Sequence, residues 1–262
     1  MRTLIDFDDA PVFAIPHAGG AREGVLVEGP QGWGEFSPPV DADDALAARW
    51  LVAAMEPSTV GWPDAVRGRV PVSDGTRRAT VEVHEVDAAV GLIATLDAAA
   101  GGLELVELAC RSAQEARAVR RRVDVPIAVD AAMVIQDRLC ADIVVLRCGA
   151  LGGVRRTLRR AETLGLPSLV DFTGLTSVGV AADIAVAAAL PDLPFACAPP
   201  PPWLGEADVV SVPRSLVPAD GYLPAAPMPA GPDPERLARV RVTDPATIER
   251  WRDRLRRAAT LL

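Results

Sequence analysis

Five charged residues of this sequence stand at the ends of short apolar runs. They are Glu82 in "TVEV", Glu107 in "LVEL", Asp130 in "IAVD", Arg147 in "VVLR" and Asp171 in "LVDF". If the runs are parallel strands of one sheet, such residues point into a common mouth at the strands' carboxyl ends. Glu82, Glu107 and Asp130 would then offer three oxygen ligands, with water completing the shell, which is the coordination chemistry of Mg²⁺. Acidic residues at strand ends also serve as helix N-caps and loop residues, so the spacing alone leaves both readings open. Arg147 can hold an anion bidentately, but it stays protonated and has no lone pair with which to take a proton.

A proton-abstracting base is harder to find. The chain contains no lysine, so all 27 of its basic residues are arginine. His84 and His17 are its two histidines, the side chains that titrate near neutral pH. His84 lies just past the Glu82 run, within reach of the same mouth. A lone loop histidine is more commonly just solvated.

The elements that must position these residues read as follows. "PVFAIP" and "REGVLVEGPQGWGEFSP" have a strand–turn–strand pattern, and Asp41 to Glu56 follows as a helix with an acidic start. From Val70 the pattern alternates. The candidate strands are "RVPVS", "ATVEV", "LELVEL", "VPIAVD", "DIVVLR", "PSLVDF" and "PFACA". The spacing predicts helices over 86–100, 112–122, 153–164 and 177–190. Short strands rich in Val, Ile and Leu alternating with helices mean βαβ units around a parallel sheet buried on both faces. A closed barrel and an open doubly wound sheet both fit. No glycine-rich dinucleotide fingerprint and no P-loop follows a strand. The tail is proline-rich to about Pro234 and then predicts one arginine-rich helix over 245–261. The expected organisation is an N-terminal α+β unit (1–69), the alternating βα region (70–199) and a C-terminal segment (200–262) packing back on the first.

Composition excludes several function classes. Half of the residues are hydrophobic and 24% are charged, a folded composition. The net charge of −8 lacks the basic footprint of a nucleic-acid binder, and the local run "RRTLRR" reads as the solvated face of a helix. No apolar run reaches the ~18 residues of a membrane span, and no charged leader with an apolar core opens the chain. Cys110, Cys140, Cys148 and Cys197 are widely spaced and read as buried thiols of a reducing compartment. A cytoplasmic location is expected.

"GWGEFSP" (32–38), "RRRVDVPIAVD" (120–130), "ADIVVLRCGALGGVRRTL" (141–158) and "TSVGVAADIAVAAALPDLPFACA" (176–198) together resemble the actinobacterial o-succinylbenzoate synthases, enolase-superfamily enzymes of menaquinone biosynthesis. The resemblance covers most of the chain in the same order. It implies an enolase-type modified (β/α) barrel with an α+β capping domain formed by the N-terminal unit and the C-terminal tail. The family reaction is Mg²⁺-dependent loss of water from a succinyl-hydroxycyclohexadiene carboxylate. A lysine of a K-x-K strand removes the proton α to the carboxylate, three acidic residues hold the metal, and a second lysine steadies the charge. On the matching motifs, Glu107 ("VELA") falls at the second metal ligand, Asp130 ("VDAA") at the third and Glu82 at the first. Arg147 occupies the position of the second lysine.

The departures are as informative as the matches. The K-x-K strand has no counterpart. Roughly fifty residues, about one βα unit with its loops, are missing between "VPVS" and "ATVEV". The acidic residue after Asp130 has become Ala131, and the loop that closes over substrate is shortened to "HAGGA" (17–21). A barrel short of one unit must close with fewer strands or leave an edge, and an edge calls for cover by a second copy or another chain. Two functions follow: an enzyme of this family acting on a small-molecule carboxylate with Mg²⁺, or a catalytically inactive relative retained for binding or assembly.

Overall fold

A computed structural model describes residues 7–134, 137–172, 174–225 and 228–262. The chain opens with an antiparallel meander, β1 (Val12–His17), β2 (Gly20–Gly29) and β3 (Gly32–Phe36). The "HAGGA" stretch is the tight turn between β1 and β2, where Gly20 takes φ 130°. Helix α1 (Asp44–Thr59) begins at Asp43, whose carboxylate accepts the Leu46 N–H at 2.7 Å. It lies so close on β3 that a Cβ at Gly34 would stand 1.8 Å from the Ala54 carbonyl oxygen.

Next come β4 (Arg69–Pro71), β5 (Arg78–Glu82), α2 (Val86–Ala100), β6 (Leu105–Ala109), α3 (Ala113–Arg120) and β7 (Ile127–Asp130). They are followed by β8 (Ile143–Leu146), a short α4 (Cys148–Leu151), α5 (Val154–Leu164), β9 (Ser168–Val170) and α6 (Ser177–Ala189). Strands β5 to β9 form a five-stranded parallel sheet in sequential order, as the βαβ rhythm requires. Inward-facing Leu105, Ala128, Ile143, Val145 and Leu169 pack with Phe195 in the lumen. The outward-facing residues, such as Val106, Val129, Val144 and Val170, join the core beneath the helices.

Beyond β9 the described residues reach β4 without another regular strand between them. "PFACA" forms only a stitch: Ala198 N–H donates to Val170 O (2.9 Å), Cys197 N–H to Pro71 O (2.8 Å) and Ser73 N–H to Cys197 O (2.9 Å). These bonds tie β9 to β4. Between β4 and β5 no ladder forms among the described residues, so β5 ends the sheet. The result is a reduced (β/α) barrel with one gap. Its length explains this, since a chain short by one βα unit cannot close the ring at the usual count.

After α7 (Leu204–Ala207), β10 (Tyr222–Pro224) pairs antiparallel with β4. Helices α8 (Pro234–Val240) and α9 (Pro245–Ala259) complete the chain. Helix α9 packs on α1, with the Trp251 ring edge-on to Phe36 at 6.0 Å and its Nε1 donating to Glu23 at 2.7 Å. The four cysteines are free thiols, three of them buried. Arg155, Arg156 and Arg159 of "RRTLRR" lie exposed on α5. Among the described residues no helix is long and apolar enough to cross a membrane.

Candidate functional site

Side chains alternate between the two faces of a strand, so every second residue of β6 to β9 faces the lumen. Glu107, Asp130, Arg147 and Asp171 continue the inward rows of Leu105, Ala128, Val145 and Leu169 at the carboxyl end of the sheet. The strands are staggered. Glu107 is level with Ala128, Asp130 with Val145, and Arg147 and Asp171 follow the paired Leu146 and Val170. Arg147 and Asp171 are therefore the furthest along, and the length of Arg147 lets it reach back over its neighbours.

It does so onto three carboxylates. Arg147 Nη2 lies 2.6 Å from Glu107 Oε1 and 2.6 Å from Asp171 Oδ2; Nη1 lies 2.9 Å from Asp130 Oδ2; Nε donates to Asp171 Oδ2 at 2.8 Å. The four side chains are 16–30% exposed. Asp130 also accepts the Ala132 N–H at 2.7 Å. Burial alone would lower the Arg147 pKa, but Asp171, Glu107 and Asp130 outweigh it and raise it, so the guanidinium stays charged. Burial raises the Glu107 carboxyl above its ordinary value, against the pull of Arg147.

The Mg²⁺ reading brought together Glu82, Glu107 and Asp130. The structure brings together Glu107 and Asp130 and sets Glu82 apart. Glu82 pairs with Ala109, two residues beyond the row of Glu107, and the β5 residue level with Glu107 is Thr80. Glu82 instead meets His84 at 3.2 Å, with the two side chains 73% and 78% exposed. His17 is exposed in the β1–β2 turn and accepts the Gly19 N–H. Asp171 carries the same strand-end signal as the others, but the three-ligand reading has no place for it.

A cavity of about 600 Å³ opens at this end and runs along the gap beside β5. Thr80, Glu107, Asp130, Arg147 and Asp171 line it, with Cys110, Met133, Leu169 and Pro199. Burial and the nearby Glu115 push the Cys110 thiol up to about 11, so it holds no thiolate at neutral pH. Arg78, at the far end of β5, is tied to Glu104 (2.7 Å) and to the Ala196 carbonyl (2.8 Å). Behind the mouth, Asp183 of α6 accepts the Cys148 N–H at 2.8 Å and so anchors the turn that follows Arg147. Burial raises its pKa well above the usual carboxylate range.

A divalent cation needs several oxygens converging on one open point. Here the oxygens of Glu107, Asp130 and Asp171 converge on a guanidinium. No group of three His, Cys, Asp or Glu suited to a metal ion forms among the described residues. The residues as arranged do not fit Mg²⁺. What they do fit is a charge-compensated clasp joining the ends of β6, β7, β8 and β9.

Comparison with known proteins follows this geometry. Residues 20–58 match the family described as enolase N-terminal domain-like. The chain is 38% identical to a protein named o-succinylbenzoate synthase from Thermobifida fusca (strain YX), over 89% of this chain and 89% of that one. It is 35% identical to one so named from Mycolicibacterium smegmatis, over 89% and 88%, and 31% identical to one from Mycobacterium leprae, over 92% and 87%. The first alignment runs over 292 positions yet takes up only part of this 262-residue chain, so the relative carries residues with no counterpart here. Among solved structures, 2-chloromuconate cycloisomerase from Rhodococcus opacus 1CP is similar with a TM-score of 0.67 at 16% identity, over 92% of this chain and all of that one. Muconate lactonizing enzyme from Pseudomonas fluorescens is similar at 0.66, also with 16% identity, over 91% and 98%. At that identity the likeness is one of fold.

Proposed function

Since the chain belongs to the o-succinylbenzoate synthase family of the enolase superfamily, we propose that it is a member that has lost the family's proton-transfer chemistry and is retained as a binding or assembly protein. One observation carries this reading: Arg147, at the position of a family lysine, is engaged by Glu107, Asp130 and Asp171 together. The family reaction begins with removal of a proton α to a carboxylate, which takes an unprotonated base at the mouth, and the carboxylates there are engaged by Arg147. Arginine itself offers no such base, and the chain has no lysine to recruit. His84 lies on the solvent side with Glu82 and outside the cavity wall.

The same contacts weigh against the metal. A cation at the mouth would have to displace the guanidinium from two of the family's ligand positions, Glu107 and Asp130. They weigh equally against capture of a substrate carboxylate by Arg147, whose N–H groups already serve protein carboxylates. The reading is of a cytoplasmic protein whose mouth works without Mg²⁺.

The test is a direct assay. Purified protein with Mg²⁺ and the succinyl-hydroxycyclohexadiene carboxylate is expected to form no o-succinylbenzoate above background. Turnover that Glu107→Gln abolishes would overturn the reading and restore the enzyme.

A further inference from the structure

The cavity of about 600 Å³ has two polar ends. At the mouth, Glu107, Asp130 and Asp171 face Arg147. Three carboxylates against one guanidinium leave an excess of two negative charges there. A carboxylate accepts up to about four hydrogen bonds, so Glu107 and Asp130 keep acceptor capacity after Arg147 and the Ala132 N–H are served. A metal ion would need those oxygens to converge on one open point. An ammonium, with three N–H donors, needs only acceptors within reach.

Arg78 makes the second, deeper end. It is level with Leu105 as Thr80 is with Glu107, so Arg78 and Thr80 both face the lumen, two residues or about 7 Å apart along the strand. The Arg78 side chain lines the cavity and is only 10% exposed. Glu104 balances its charge through Nε (2.7 Å), and Nη1 donates to the Ala196 carbonyl at 2.8 Å. Its Nη2 is buried and finds no acceptor among the described residues, a state that buried N–H groups rarely keep. What Nη2 lacks is an acceptor rather than an anion, since Glu104 already meets the charge. Between the two ends Leu105, Leu169 and Met133 supply apolar wall. We propose that this cavity binds a small organic cation: a primary amine whose ammonium is held by Glu107 and Asp130 at the mouth and whose neutral carbonyl, a short methylene chain away, accepts from Arg78. The ligand's charge is thus opposite to that of the family's carboxylate substrate. The proposal rests on the reading above, in which the mouth holds neither Mg²⁺ nor a substrate carboxylate.

Calorimetric titration of the full wild-type chain tests it with a matched set of probes. δ-Aminovaleramide carries both groups, pentylamine the ammonium alone, valeramide the carbonyl alone and valerate the opposite charge. At millimolar ligand and neutral pH, δ-aminovaleramide is expected to bind. Pentylamine should bind at least about tenfold more weakly for want of the bond to Arg78, and valeramide and valerate should not bind measurably. Added salt should weaken the binding of both amines. Arg78→Met should bring δ-aminovaleramide down to the affinity of pentylamine and leave pentylamine unchanged. That comparison is made within one variant, so a general loss of stability does not imitate it, and the wild-type series decides the matter if the variant fails to fold. Failure of both amines to bind, or binding of valerate as tight as either, overturns the proposal. Both results leave the reading of the family reaction standing, since only turnover of the cyclohexadiene carboxylate removes that.

Discussion

The Arg147 guanidinium reaches across β7 to Glu107 of β6, Nη2 to Oε1 2.6 Å, while the same Nη2 lies 2.6 Å from Asp171 on β9. One side chain thereby connects four consecutive strands at the open end of a barrel that is short of a unit. Neighbouring strand ends would otherwise carry mutually repelling carboxylates.

Arg147→Met therefore destabilises the fold. Removing one partner of a largely buried ionic cluster typically costs about 3–5 kcal/mol because the remaining charges are left uncompensated. Partial exposure here puts the expected loss near the lower figure, about 3 kcal/mol. Urea unfolding with an unchanged slope measures it.

The same substitution should create a metal site that the wild type lacks. Glu107, Asp130 and Asp171 then present free oxygens to one point. Calorimetric titration is expected to show no Mg²⁺ or Mn²⁺ binding to the wild type at millimolar metal, and measurable binding to Arg147→Met, accompanied by recovery of stability. Equal binding by both proteins would mean that the guanidinium does not hold the site closed.

Asp183 makes stability depend on pH. Burial raises its folded-state pKa well above the ordinary aspartate range, to which it returns on unfolding. Below the unfolded value both states are protonated. As pH climbs toward the raised folded value, the folded state binds more protons than the unfolded one, so stability falls. Asp183→Asn keeps an acceptor for the Cys148 N–H and removes the titration. Unfolding at about pH 5 and about pH 8 should show a smaller drop for the variant, which becomes the more stable protein at the higher pH. A parallel loss in both proteins would remove Asp183 as the cause.

Close approach across the β3–α1 and α1–α4 contacts leaves no room for a methyl group. A Cβ at Gly149 would lie 2.5 Å from the Trp50 ring. Gly149→Ala should cost roughly 1–3 kcal/mol through overpacking, read as a lowered melting temperature with altered tryptophan fluorescence. Gly91→Ala, in open space on α2, is the matched control and should be neutral or stabilising.

Glu82→Gln and His84→Ala should change stability by no more than about 0.5 kcal/mol, as for surface positions generally. A larger effect of either on stability would place Glu82 in the clasp after all.

Much of this fold is legible in the sequence because its helices carry their own punctuation. The stretches predicted over 86–100 and 153–164 end where Gly101 (φ 65°) and Gly165 (φ 61°) take the left-handed conformation that closes a helix. Ser112 and Thr176 start theirs with side-chain caps. The seventh strand run, "PFACA", is less legible, because a short apolar stretch does not reveal whether its backbone finds a ladder or a single bridge. At the site, the strand-end positions of Glu107, Asp130, Arg147 and Asp171 can be read from the apolar runs before them. Their mutual contact cannot, since it depends on the stagger between strands. That stagger puts Thr80 rather than Glu82 level with Glu107. Asp183 is hidden for a different reason: mid-helix in an alanine-rich run, nothing local marks it as the partner of the backbone beyond Arg147.

The contact of α9 with the N-terminal meander has a consequence for synthesis. Trp251 closes over Phe36 and bonds Glu23, so a unit begun by the meander is completed only by a helix that is synthesised much later. Until then the growing chain exposes the apolar face around Phe36. Contacts between such distant parts of a chain form slowly. A nascent or prematurely terminated chain is thus the form of this protein most in need of a chaperone.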